Sequence, residues 1–249
     1  MHELIIVIKD LTKYYEHLHV LDNLNFNIRR GEFISIVGPS GCGKTTLLKI
    51  LGGLIKPTSG NINIFKSSPS QKNDIREFGF VFQNPVLLPW RTTKKNIELP
   101  LEIYEKEKPK ILPKSFIELV GLSGFENYYP KQLSGGMQQR ASIARALILE
   151  PSILLMDEPF GALDEITRDK MNIELLRIWT KIKTTIIFVT HYIPEAVFLS
   201  DRIIVVSKRP AKIEEIVEID LPRPREPEMR NSTKYNEVMK WIRELLKEY

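Results

Sequence analysis

Between the apolar run Phe33-Ile34-Ser35-Ile36-Val37 and the helix-like run Thr46-Leu47-Leu48-Lys49-Ile50-Leu51 stands Gly38-Pro39-Ser40-Gly41-Cys42-Gly43-Lys44-Thr45. This matches Gly-x-x-x-x-Gly-Lys-[Ser/Thr], and it constrains the chain to an α/β fold in which a buried strand feeds a tight loop that opens a helix. The glycines leave backbone N–H groups bare, so the loop can wrap an anion closely. Lys44 adds a compact positive charge suited to the β- and γ-phosphates, and the Thr45 hydroxyl is placed to ligate Mg²⁺. The helix start that follows, from Thr46, contributes its dipole and free N–H groups.

A second segment, Ile153-Leu154-Leu155-Met156-Asp157-Glu158, sets four apolar residues before two acids. In an open parallel sheet the C-terminal strand edge is where ligands bind. Asp157 is expected in the Mg²⁺ shell and Glu158 as the base that polarises an attacking water. The plainer reading, two acids marking a strand end before Pro159, loses ground beside a phosphate loop. A third segment, Leu133-Ser134-Gly135-Gly136-Met137-Gln138-Gln139-Arg140, reads as a helix start with Ser134 as N-cap. Met137, Ala141, Ala144 and Ile148 recur at helical spacing, and the helix is expected to stop at Glu150, before Pro151. Ser134, Gly135 and Gly136 thus offer a second anion site, which one nucleotide in one chain does not need.

Taken together, these motifs resemble the ATP-binding subunit of ABC transporters, over residues 1 to about 225. The resemblance implies a P-loop NTPase core of the ABC cassette type, with a mixed sheet and an inserted helical subdomain. It implies ATP and Mg²⁺, the nucleotide being held by Gly38, Pro39, Ser40, Gly41, Cys42, Gly43, Lys44, Thr45 and Thr46 of one copy. Ser134, Gly135, Gly136 and Gln138 of a second copy would complete the enclosure, giving a head-to-tail homodimer. Gln83, in Val81-Phe82-Gln83-Asn84-Pro85, resembles the glutamine that senses Mg²⁺ and the water. His191, ending the run Thr185-Ile186-Ile187-Phe188-Val189-Thr190, resembles the switch histidine on the γ-phosphate. Asp164, in Gly161-Ala162-Leu163-Asp164, resembles the loop that couples the two sites. Tyr15 matches the aromatic that stacks on adenine, with Tyr14 the alternative. The catalytic set implied is Glu158, His191, Gln83 and Lys44, and the metal set Thr45, Gln83 and Asp157.

Composition agrees. A chain of 249 residues can bury a sizeable core. Its 36 basic and 31 acidic residues leave a net charge of +5, too mild and too dispersed to argue for nucleic acid. A single cysteine excludes a disulfide framework, and Cys42 reads as a small filler inside the loop. No apolar run reaches the roughly 18 residues that span a bilayer. The start has no basic region, so no signal peptide is visible. The reading is a peripheral protein on the cytoplasmic face of the membrane, whose transmembrane permease is another polypeptide. A solute-binding protein outside the cytoplasm would be an indirect partner.

The expected organisation is an ATPase domain over 1–225, with an α/β core of 1–87 and 151–225 and a helical subdomain of 88–150. Residues 226–249 form a helical extension. Strands are expected at Leu4 to Ile8, Leu24 to Arg30, Ile62 to Ile64, Arg202 to Ser207, and through Val217, Ile219 and Leu221. Helices are expected over Asn96 to Glu105 and Lys114 to Val120, joined by a solvated Glu105 to Lys110 connector. Val238, Trp241, Ile242, Leu245 and Tyr249 suggest a terminal helix packed on the core. His17 and His19 read as exposed turn residues rather than metal ligands. The segments Leu87-Leu88-Pro89-Trp90, Met156 to Asp164 and Leu221-Pro222-Arg223-Pro224-Arg225 resemble nitrate, sulfonate and taurine importers, with Val86 to Arg91 as the implied permease contact. The alternative, a soluble ABC ATPase acting on ribosomes or nucleic acid, fits less well, because only one cassette and no long coiled-coil insertion is present. No Asn-Lys-x-Asp guanine motif occurs.

Overall fold

The structure, a computed structural model, describes residues 3–64, 77–104 and 112–247. Strands β1 (Leu4–Tyr15) and β2 (Leu18–Arg29) form a hairpin; β3 (Phe33–Val37) leads through the phosphate loop into α1 (Lys44–Leu51), and β4 (Ser59–Ile64) follows. After β5 (Phe78–Val81) come α2 (Thr93–Ile97), α3 (Leu99–Ile103), α4 (Pro113–Leu119) and α5 (Gly135–Leu147). The chain continues through β6 (Ile153–Asp157), α6 (Glu165–Ile182), β7 (Thr185–Thr190), α7 (Ile193–Leu199), β8 (Arg202–Val206), β9 (Ile213–Glu218) and α8 (Thr233–Lys247). Two compact units emerge: Met1–Asp74 with Thr185–Tyr249, and Ile75–Thr184.

In the first unit β1 lies between β2 and β4, antiparallel to both. A second layer runs β7-β3-β8-β9, with β3 parallel to β7 and β8, and β9 antiparallel on β8. Every residue of β3, β7 and β8 is buried, as continuous apolar runs demand of parallel strands covered on both faces. In the second unit β5 and β6 pair in parallel, and α5 packs on β5, α2 and α4. The α/β class and the mixed sheet are as expected.

The differences have physical causes. Strand β1 runs on to Tyr15, well past Ile8, because bulges rather than a turn absorb the break in alternation. Asp10 and Asn23 sit at φ 53° and 51°, and the Asn25 side chain accepts the Asp10 N–H at 2.9 Å. The helix expected from Asn96 splits at Glu98, since Pro100 has no N–H for the Asn96 carbonyl. The expected Glu105 to Lys110 connector lies outside the described residues. Helix α5 ends at Leu147 instead of Glu150, which takes a left-handed φ of 52°. Strand β9 ends at Glu218, so Ile219 and Leu221 are buried beyond it, at 5% and 9% exposure. In α8 the face toward the core is Tyr235, Met239 and Ile242, whereas Trp241 is half-exposed and its Nε1 donates to Glu215. His19 is half-buried, with its ring stacked on Tyr14 at 4.1 Å.

One charge pair sits within this apolar layer. Arg202 opens β8 at 7% exposure and donates through Nη2 to Glu32 Oε2 at 2.9 Å and to the Asn27 carbonyl at 2.8 Å. Glu32 Oε2 also accepts the Arg29 N–H at 2.8 Å, and the bond to Glu32 holds the Arg202 guanidinium above its ordinary pKa. Removing one member strands the other in the core. Arg202→Met is expected to cost about 3–5 kcal/mol in denaturant unfolding; a loss below about 1 kcal/mol, the surface-pair value, would contradict a dry pair.

Candidate active site

Strand register places the candidate residues within each unit. Val37 of β3 is opposite Thr190 of β7, so Gly38 and His191 leave the sheet side by side at its C-terminal edge. The loop then approaches the sheet too closely for side chains. A Cβ on Gly38 would lie 2.5 Å from Val206 Cγ2 and 2.7 Å from the Val206 carbonyl oxygen. Gly43 caps α1 at φ 126°, and a Cβ there would meet Val20 and Leu21 at 2.9 Å. Gly41, at φ 73°, has open space around it.

No side chain caps α1, so its first N–H groups face the loop. Lys44 is 5% exposed and donates from Nζ to the Gly38 and Pro39 carbonyls at 2.9 and 3.0 Å. That holds the ammonium inside the loop. Cys42, 1% exposed, packs beneath it as a small filler. Ser40 and Thr45 are exposed, Pro39 and Thr46 half-buried. His191 is exposed at the start of the turn into α7. Tyr14 and Tyr15 both end β1 exposed; His19 covers one face of Tyr14, and Lys13 Nζ lies 4.8 Å from the centre of the Tyr15 ring.

The other residues belong to the second unit. Val81 is opposite Met156, so Gln83 and the Asp157-Glu158 pair emerge from adjacent strand ends. A Cβ on Gly161 would stand 3.5 Å from Gln83 Nε2 and 3.7 Å from Glu158 Oε2, which places the two side chains around one point. Glu158 takes φ 44°, a left-handed conformation uncommon for a side-chain-bearing residue, and its carbonyl accepts the Gly161 N–H at 3.0 Å. Asp157 and Glu158 are half-buried.

Ser134 caps α5, its hydroxyl accepting from Met137 N at 3.3 Å. Asp164 caps α6 in the same way, accepting from Thr167 N at 3.0 Å, and that bond holds its carboxyl below the usual range. The two caps adjoin: a Cβ on Gly136 would meet Thr167 Cγ2 at 3.3 Å, and one on Gly135 would meet Leu163 at 3.7 Å. Gln138 is committed elsewhere, its Nε2 donating to the Pro130 and Leu133 carbonyls.

Two residues that sequence reasoning did not single out shape the chain after Gln83. Asn96, fully buried, bonds the Leu88 N–H at 2.7 Å and the carbonyls of Leu88, Arg91 and Thr92. Arg145 of α5 donates to the Pro85 and Val86 carbonyls at 2.9 and 2.8 Å, clamping Val86 at φ 47°. In α2, Thr93-Lys94-Lys95-Asn96-Ile97, an uncharged polar residue beside lysines offered little signal for the first. Nothing local pointed to the second.

Comparison with known proteins decides the class: the ABC transporter family profile matches residues 21–161. The chain belongs to the ABC transporter family. It is 48% identical to an ABC transporter ATP-binding protein of Methanocaldococcus jannaschii, over 97% of this cassette and 91% of that protein. It is 45% identical to the aliphatic sulfonates import ATP-binding protein SsuB of Bacillus cereus, over 94% and 93% of the two chains. Among solved structures it resembles the ATP-binding cassette MJ0796, a dimer in a post-hydrolysis state bound to ADP and Pi. That match has TM-score 0.74 and 36% identity, over 87% of this chain and all of that one. ATP is therefore the nucleotide of this cassette and its hydrolysis the reaction.

Gly38→Ala is expected to lower stability by about 1–3 kcal/mol through overpacking against Val206 and to weaken ATP binding. Thermal unfolding with and without Mg·ATP reads both, and a variant unchanged in both would contradict the close approach.

Proposed function

We propose that two copies of this cassette close head to tail around two Mg·ATP and so energise an importer for a small sulfonate-type solute. The observation that carries the reading is the pair of separate anion-grade sites in one chain, the Lys44 loop and the Ser134–Gly136 helix start. A single nucleotide uses one of each, which two copies supply by exchange. The dimeric cassette among the solved relatives supports the arrangement. The SsuB relatives support an importer and its sulfonate class, against an action on ribosomes or nucleic acid.

In this reading Gly38 to Thr46 hold the triphosphate through backbone N–H groups and Lys44, and Ser134 with Gly136 of the other copy closes over the γ-phosphate. Tyr15 is the adenine platform, because the ring of Tyr14 is already stacked on His19. The glycine cradle that a Cβ would fill at Gly38 and Gly43 suits a phosphate chain. The donor set Thr45, Gln83 and Asp157 is all oxygen, which suits Mg²⁺. Bound there, the ion neutralises charge on the phosphates. Glu158 accepts the proton of the attacking water, Gln83 orients that water, and His191 steadies the γ-phosphate. Asp164, capping the helix beside Gly136, links the two sites.

The cassette domain is read as 1–225, with 88–150 as the helical subdomain and 226–249 as an extension. Val86 to Arg91 form the surface for a transmembrane permease. Val86 and Trp90 are 58% and 71% exposed, on a loop that Asn96 and Arg145 hold. No described helix is long and apolar enough to cross a membrane, so the membrane path is assigned to that partner, with this chain on its cytoplasmic face. A solute-binding protein delivers the cargo.

Glu158→Gln should cut turnover by roughly 10²–10⁴-fold and accumulate an ATP-bound dimer in size-exclusion chromatography. Wild-type turnover in that variant would remove Glu158 as the base; a persistent monomer with Mg·ATP would remove the exchange of helix tips. Crosslinks from Trp90 to a co-purified permease are expected, and a permease still fully bound to the Leu88→Asp/Trp90→Asp variant would contradict the docking surface.

A further inference from the structure

Helix α7 starts two residues after His191 and is gripped at both ends by the C-terminal segment of the chain. At its start, Tyr235 of α8, 4% exposed, donates its hydroxyl to the Pro194 carbonyl at 2.8 Å. The turn between is braced as well: the Thr190 hydroxyl accepts the Tyr192 N–H at 2.8 Å and is bonded to the Glu195 carboxyl. At the far end three arginines converge. Arg223 donates to the Leu199 carbonyl at 2.7 Å, Arg225 to the Ser200 carbonyl at 3.0 Å, and the Arg230 guanidinium lies 4.4 Å from the centre of the Phe198 ring. Cations at a helix C-terminus satisfy its last carbonyls and complement its dipole.

Arg225 holds that place at a cost. It is 8% exposed, and its Nε and Nη1 have no hydrogen-bond partner among the described residues. Burial pushes its pKa down to about 10, Arg223 adds to the fall, and Asp201 opposes it. A cation whose folded pKa lies below its unfolded value disfavours folding wherever it is protonated, which here includes neutral pH. The remaining nitrogen of Arg225, Nη2, is committed to the Ser200 carbonyl at the end of this short helix.

We infer that the segment from Arg223 through α8 positions His191, with Tyr235 as the positioning residue that ties α8 to the first turn of α7. The inference rests on His191 as the γ-phosphate contact. It makes α8 part of the hydrolytic apparatus rather than a cover on the core. A hydroxyl that fixes the turn lets the imidazole meet the phosphate without first being ordered.

The experiment compares Tyr235→Phe, His191→Ala and the double variant in the full chain. Tyr235→Phe keeps the ring in its packing and removes the hydroxyl that bonds Pro194. Expected are a fall in kcat of about three- to tenfold, the equivalent of one lost hydrogen bond, an unchanged KM for ATP, and faster amide exchange across residues 190–196 with β3 unaffected. In the His191→Ala background the same change should have no further effect on kcat. Unchanged exchange in Tyr235→Phe overturns the inference whatever the turnover. Faster exchange with unchanged kcat, in a chain that His191→Ala impairs, also overturns it. Wild-type turnover in His191→Ala instead overturns the γ-phosphate reading, and the positioning claim with it.

Discussion

The pairing of β3 with β7 is the constraint from which the rest follows. Setting Val37 against Thr190 brings a phosphate loop and a histidine turn, some 150 residues apart in the chain, to one sheet edge. Both strands are buried throughout and apolar but for Ser35, Thr185 and Thr190, so a slip of register would have to move an entire core layer. The parallel pairing of β5 with β6 does the same for Gln83 and the Asp157-Glu158 pair. The chemistry is thus positioned by hydrophobic burial, which is non-directional, acting through hydrogen-bond ladders, which are not.

Much of this was legible in the sequence, because the informative segments are also the least ambiguous. Phe33–Val37 and Ile153–Asp157 are apolar runs cut off by a glycine or acids, and the strands have the expected bounds. Ser134 before Gly-Gly and a periodic run gave both the cap and the helix. What was missed depends on partners far along the chain. Arg145 reads as one basic residue on a helix until its reach to Pro85 and Val86 is seen. Helix α6 was overlooked although Asp164 offers a cap and Met171, Leu175 and Ile178 a buried stripe, because charged residues dilute its pattern. Strand β1 outran its apolar half because a ladder tolerates bulges that period-two alternation cannot represent. The identity of the cargo is absent from this chain for a simpler reason: in the proposed assembly the cassette meets nucleotide and permease, so none of its residues is shaped by the solute.

The two helix caps, Ser134 and Asp164, show how a helix start can serve two purposes. Each side chain satisfies an N–H within its own chain, at Met137 and Thr167 respectively. The glycines beside Ser134 leave further N–H groups uncovered, and Asp164 is held ionised by its cap. In the proposed assembly it is the Ser134 end that receives the γ-phosphate, with little rearrangement, since its N–H donors are already oriented by the helix behind them.

The left-handed backbone of Glu158 sets this position apart from the rest of the strand end. Glycine would relieve that conformation and, judged by thermal hardiness alone, would be the better occupant. The residue that the proposed mechanism asks for is therefore one that the backbone tolerates reluctantly. Screens that rank variants of this protein by heat resistance would drift toward glycine at this position and, under the proposed mechanism, toward inert molecules, with nothing in the melting curve to warn of it.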